Sequence, residues 1–266
     1  MIWTLFLHDL RENRMLLLFF TFIIFVYTSI SVYMFDPEST QAMQDLLDLM
    51  PETMINMMGF TNLGTELTSY ISNYLYGFIL IIFPLIFIIM MGNKLISRHV
   101  DTGSMQFILT TPYSRIQVVV TQVVFYVISI LFVIGINILI LIAMAQISHP
   151  GALDIWAFAR LNYMTISIHL LMGSITFFFG VLLQDNSRVI GLSGGFLFLQ
   201  FVLSMIARID ESLSFLKYTT VFSMLDVTEI LANVMPNLLQ ASIVLYCAVG
   251  LFVASIIVFN KKSLII

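Results

Sequence analysis

Residues 116–153 read IQVVVTQVVFYVISILFVIGINILILIAMAQISHPGAL, a stretch without a single Asp, Glu, Lys or Arg. Crossing the hydrocarbon core of a bilayer takes about 20 apolar residues. This run exceeds that length, yet it falls short of two spans joined by a turn. Ser148-His149-Pro150-Gly151 interrupts it. The reading is therefore one long helix, near 116–144, followed by a loop. Working outward, five more uncharged runs of spanning length appear: Met15–Phe35, Leu67–Asn93, Leu161–Gln184, Val189–Ala207 and Ile230–Asn260. A charged residue at a helix centre costs about 2.5–3.5 kcal/mol on insertion, while each Leu, Ile, Phe or Val returns about 0.3–0.6. Runs of this kind insert on their own account. The expectation is an all-α integral membrane protein, a single transmembrane domain over 1–266, with six spans near 15–35, 70–92, 116–144, 161–183, 189–207 and 238–259.

Composition agrees. The chain is 60% hydrophobic and 10% charged, against about 25% charged residues in soluble domains. No basic stripe suits nucleic acid, so none is expected as a partner. The one cysteine, Cys247, excludes an intrachain disulfide framework and reads as a small buried hydrophobe. The first apolar run follows Leu10-Arg11-Glu12-Asn13-Arg14 and has no small-residue cleavage site, so it reads as a retained helix rather than a signal peptide.

Lys and Arg set the orientation. With the N-terminus in the cytoplasm, Arg11, Arg14, Lys94, Arg98, Arg115, Arg188, Lys261 and Lys262 fall inside, and Arg160, Arg208 and Lys217 outside. That asymmetry places both termini in the cytoplasm. Residues 1–14 carry Trp3, Phe6, Leu7 and Leu10 on one face, as an amphipathic interfacial helix would. In the first outer loop Met43, Leu46, Leu47, Met50, Met54, Met57 and Met58 recur at helical spacing. The stripe reads as an adaptable packing or contact surface, with thioether capture of Cu(I) as the sharper alternative. The third outer loop, near 208–237, reads as a pair of short interfacial or re-entrant helices.

Chemistry-bearing motifs are scarce. The chain has no GxxxxGK[ST] phosphate loop, HExxH, CxxC or GxSxG. Gly191-Leu192-Ser193-Gly194 matches the short serine motif of rhomboid intramembrane proteases. That chemistry needs a histidine base on a later helix, and the last histidine, His169, lies upstream. The alternative reading of Gly191, Ser193 and Gly195 is a small-residue face for close helix packing. Of the four histidines at 8, 99, 149 and 169, only His169 sits deep in a span. It reads as an interhelical hydrogen bond or as part of a substrate or proton path. No metal site and no catalytic residue are expected.

The segment Lys94–Arg115 is the most polar cytoplasmic piece. Thr102-Gly103 breaks one helix, Met105–Leu109 starts a short amphipathic one, and Thr111-Pro112 ends it. Arg98, Thr102-Gly103, Phe107-Ile108-Leu109, Pro112 and Ser114-Arg115 resemble, in order and spacing, the hallmark loop of type-2 ABC transporter permeases. Leu49-Met50-Pro51-Glu52 and the ending Phe259-Asn260-Lys261-Lys262 resemble two further elements of that family. Where the family usually carries an acidic pair, this chain has His99-Val100-Asp101.

The resemblance implies a permease of a bacterial exporter in the cytoplasmic membrane, paired with a second permease copy and with separate ATPase subunits that hold ATP and Mg. It implies no cofactor in this chain. Arg11, Arg98, Asp101, Thr102, Gly103 and Phe107 would couple ATP hydrolysis to movement. The substrate path would follow the dimer interface of the first, second and fifth spans, with Tyr27, Tyr74, Phe78 and Phe196 as candidates. A drug, an antimicrobial peptide or a lipid-like molecule would be the cargo. Two other readings stand beside it: a membrane scaffold that senses a ligand without moving it, and an intramembrane hydrolase using Ser193.

Overall fold

The computed structural model describes residues 1–36, 45–47, 49–51, 53–55, 66–96, 112–183, 185–209, 211–232 and 236–262. Among them, six helices are long and apolar enough to cross a membrane. They are α1 (Trp3–Tyr33), α2 (Leu67–Leu95), α3 (Arg115–Ser148), α4 (Ile155–Leu183), α5 (Asn186–Ile206) and α6 (Pro236–Lys261). The described residues contain no strand. The chain passes back and forth, so α1, α3 and α5 begin, and α2, α4 and α6 finish, at one end of the bundle. That end carries the N-terminus.

Local chemistry sets the helix starts. Ser114 accepts from the Gln117 backbone N–H while the Gln117 side chain accepts from the Ser114 N–H, a capping box that opens α3 at Arg115. Asp154 accepts from the backbone of Trp156 and Ala157 at 2.9 and 3.0 Å, and Asp185 accepts from Arg188 at 3.0 Å. These caps start α4 and α5. Gly151, at φ 78°, makes the turn that separates α3 from α4.

Helix α1 modifies one expectation. The amphipathic segment 1–14 is helical, but it continues into the span without a break over 31 residues, about 46 Å of helix. No glycine or proline interrupts it. Its packed face is only in part the Trp3–Leu10 face, from which Phe6 meets the buried Phe125 edge-on with ring centres 5.4 Å apart. Trp3 and Leu10 are exposed, while Ile2, Asp9 and Asn13 are buried. In a bilayer the apolar face is free to meet lipid, and the polar one turns to the protein. The helix lies along α3 from its first residues. The Ile2 N–H donates to Thr121 Oγ1 at 2.7 Å, the Phe6–Phe125 contact follows, and Thr28 bonds Asn137 further along.

Helices α2 and α5 each contain one wider π turn, Leu75–Ile79 and Ile190–Gly194. Pro84 inside α2 removes the N–H that the Leu80 carbonyl would otherwise take. The connection between α5 and α6 contains 3-10 turns over Glu211–Thr219 and Val221–Met224 and a short helix, Val227–Leu231. Arg160 donates to the Ile230 and Leu231 carbonyls at the end of that short helix. Between α1 and α2 residues 45–47 and 53–55 are helical; Met43, Met57 and Met58 lie outside the described residues. Cys247 is exposed, contrary to the buried expectation. On a membrane helix the outward face is itself apolar, so hydrophobicity does not separate buried from lipid-facing positions.

Candidate functional site

The amino-terminal end of the bundle frames the segment expected to couple to an ATPase. Of that segment, Arg98, Asp101, Thr102, Gly103 and Phe107 lie outside the described residues. Its two anchors are described. Arg115 donates to the Lys262 carbonyl at 3.1 Å. Lys262 Nζ in turn donates to the Val181 carbonyl at 3.3 Å and to the Leu182 carbonyl. One cation thus caps the last turn of α4 and ties it to α6. Partial desolvation draws that ammonium below the usual lysine range. Asn93, in the last turn of α2, donates to Asn186 in the first turn of α5. Arg11 is exposed on α1 at the same end.

Polar groups bridge the helices deeper in. Thr28 Oγ1 donates to Asn137 Oδ1 at 2.6 Å, joining α1 to α3. Tyr76 Oη donates to Asn162 Oδ1 at 2.7 Å, joining α2 to α4. Between the pairs lies a small gap, lined by Ile24, Tyr76, Pro84, Asn137, Asn162 and Thr165 among others. His169 is fully buried beside it. Its Nδ1–H donates within α4 to the Thr165 carbonyl at 2.7 Å, and the ring also faces the Leu80 and Ile81 carbonyls. Leu80 is the carbonyl that Pro84 leaves without its helical donor. The ring lies buried between α4 and α2, and its Nε2 makes no hydrogen bond.

Two of the four aromatic candidates come together. Tyr27 of α1 and Tyr74 of α2 stack with ring centres 6.0 Å apart, and Tyr74 stacks on Tyr70 at 5.7 Å. Phe35 continues the row against Tyr70 at 5.2 Å, and His149 meets Phe35 edge-on at 5.3 Å. Tyr27 and Tyr74 remain partly exposed. Phe78 and Phe196 belong elsewhere. Phe78 packs on Phe201 at 5.8 Å, and Phe196 on Phe179 at 6.5 Å.

On α5, Gly191 and Gly195 face open space, with no atom within 4 Å of the position a Cβ would take. Ser193 points the other way, is buried, and donates to the Val189 carbonyl at 2.6 Å. Gly191 and Gly195 thus share the open face, and Ser193, two residues from each, lies on the opposite one. The Ser193 proton is directed to a backbone carbonyl, which is no general base.

The family model described as ABC-2 family transporter protein matches residues 3–264. The chain belongs to the ABC-2 transporter family. No curated protein and no solved structure matches it. As an ABC-2 permease, it is a multi-pass membrane protein and the membrane component of an ABC transporter, and the family implies an ATPase partner.

Several residues that organise this permease escaped the sequence reading. Thr28, Tyr76 and Asn162 carry no motif, and only contact across helices reveals them. Asp9 and Asn13 did leave a signal, since their spacing of four puts both on one face of α1.

Proposed function

We propose that this ABC-2 permease is the transmembrane half of a bacterial exporter in the cytoplasmic membrane. It acts as one membrane domain with both termini in the cytoplasm, paired with a second permease copy and driven by ATP bound to separate ATPase subunits. Arg98, Asp101, Thr102, Gly103 and Phe107, with Arg11, form the surface that receives the ATPase stroke. Cargo moves along the dimer-facing side of α1, α2 and α5, past Tyr27 and Tyr74, and is a drug, an antimicrobial peptide or a lipid-like molecule. The observation that carries this reading is the gathering of Arg11, Lys94, Arg115, Arg188, Lys261 and Lys262 at the end of the bundle that also anchors both flanks of 97–111. Positive charge of that kind marks a cytoplasmic face.

The test is purification of the tagged permease from native membranes, with identification of bound proteins and an ATPase assay. A stoichiometric partner with a phosphate loop, lost on Arg98→Glu or Gly103→Pro, is expected. A pure permease without nucleotide hydrolysis would overturn the reading. Reconstitution into vesicles then separates transport from ligand sensing, because a sensor accumulates no cargo.

A further inference from the structure

The first turns of α1 meet α3 at a group of buried polar side chains. Asp9 is 1% exposed, Gln122 1% and Asn13 3%. Both carboxyl oxygens of Asp9, Oδ1 of Asn13 and Oε1 of Gln122 are buried without a hydrogen-bond partner. The Gln122 amide lies against the Asp9 carboxyl, and Asn13 Nδ2 is engaged by the Asp9 backbone carbonyl at 2.9 Å. The Gln122 contact is the one that favours the charged carboxyl, and an ionised carboxylate buried without a full set of donors is costly.

Among the described residues no cation compensates. Glu12, on the same helix, is the charge that acts on Asp9, and it repels a second anion. His8 pairs with Glu12 at 3.6 Å on the exposed side. Arg115 of α3 is turned to the Lys262 carbonyl. Lys94 of α2 is not among the charges acting on Asp9.

We propose that Asp9 is a proton-binding site that locks the first turns of α1 onto α3. A proton taken from solvent at this face turns one acceptor into a donor, and the new O–H donates to the amide oxygen of Gln122 or Asn13. The docked arrangement binds the proton more tightly than the undocked one, so docking is favoured at low pH and weakens as pH rises. The inference concerns contact within the chain and does not depend on the ATPase reading.

The test uses the full chain in lipid nanodiscs with Cys247→Ser. Spin labels go on Leu10→Cys and Ile116→Cys, both exposed positions, and the distance distribution is recorded between about pH 5 and pH 9. A narrow population at low pH that gives way to longer distances as pH rises is expected. Asp9→Asn, which mimics the neutral acid, should keep the narrow population throughout. Glu12→Gln should move the transition to lower pH, because it removes the charge that disfavours ionisation. His8→Gln should keep the wild-type transition. A distribution indifferent to pH, a titration unchanged in Asp9→Asn, or a response to sodium, potassium or magnesium at fixed pH would each overturn the proposal.

Discussion

Tyr126 of α3 donates its phenol proton to the Ile88 carbonyl of α2 at 2.6 Å, directly over Gly92. A Cβ on Gly92 would stand 2.6 Å from the Tyr126 hydroxyl and 2.8 Å from Thr176 Cγ2 of α4. Three helices meet there, with side chains of α3 and α4 seated against the Gly92 backbone.

Gly92→Ala is accordingly expected to destabilise the bundle by about 1–3 kcal/mol, since the anchored phenol has little room to give. Gly135→Ala, where nothing lies within 4 Å, should leave stability unchanged or raise it slightly. Thermal unfolding of the two variants in the same detergent decides the matter. Equal melting temperatures would show that the contact yields easily.

Thr28→Val keeps the shape of the side chain and removes the donor to Asn137. A loss of about 0.6–2 kcal/mol is expected, the range for interhelical hydrogen bonds in membranes. Thr28→Ser should retain most of the stability. A double-mutant cycle with Asn137→Leu measures the coupling, and additive losses would mean the pair does not interact.

Lys262→Met leaves the Val181 and Leu182 carbonyls uncapped. The expected cost is about 0.3–1 kcal/mol, the scale of a cation at a helix C-terminus. Lys262→Arg should recover much of it. Hydrogen exchange at the end of α4 reads the effect locally, and unchanged protection there would refute the cap.

Tyr27→Leu and Tyr74→Leu should each slow cargo movement by the permease complex in vesicles, about 2- to 10-fold if one stacking contact of about 0.5–1.5 kcal/mol is lost. Basal ATP hydrolysis should persist. Tyr246→Leu, on the exposed face of α6, serves as the control. Equal rates in all three would remove the tyrosine pair from the path.

The six spans were legible because charge is so costly in lipid that its absence marks each helix, as 116–153 shows. Helix starts are set by caps, Ser114 before Arg115, Asp154 before Ile155 and Asp185 before Asn186, whereas the apolar runs alone set bounds near 116, 161 and 189. What the pattern could not show was which side of each helix faces protein. In a bilayer both faces are apolar, so Cys247 reads as core and lies outside, while the polar Asp9 reads as surface and lies inside. The same ambiguity hid the Thr28–Asn137 and Tyr76–Asn162 bonds, whose partners are remote in sequence. Tyr27 and Tyr74 do adjoin, whereas Phe78 and Phe196 pack in separate places, because aromatic composition carries no azimuth.

Helix α1 runs as one hydrogen-bonded rod from Trp3 to Tyr33. It carries the buried Asp9 near one end and Tyr27 near the other. A shift of the rod as a whole therefore reaches both, and the tyrosine stack shares in whatever moves the end of the bundle that holds the N-terminus.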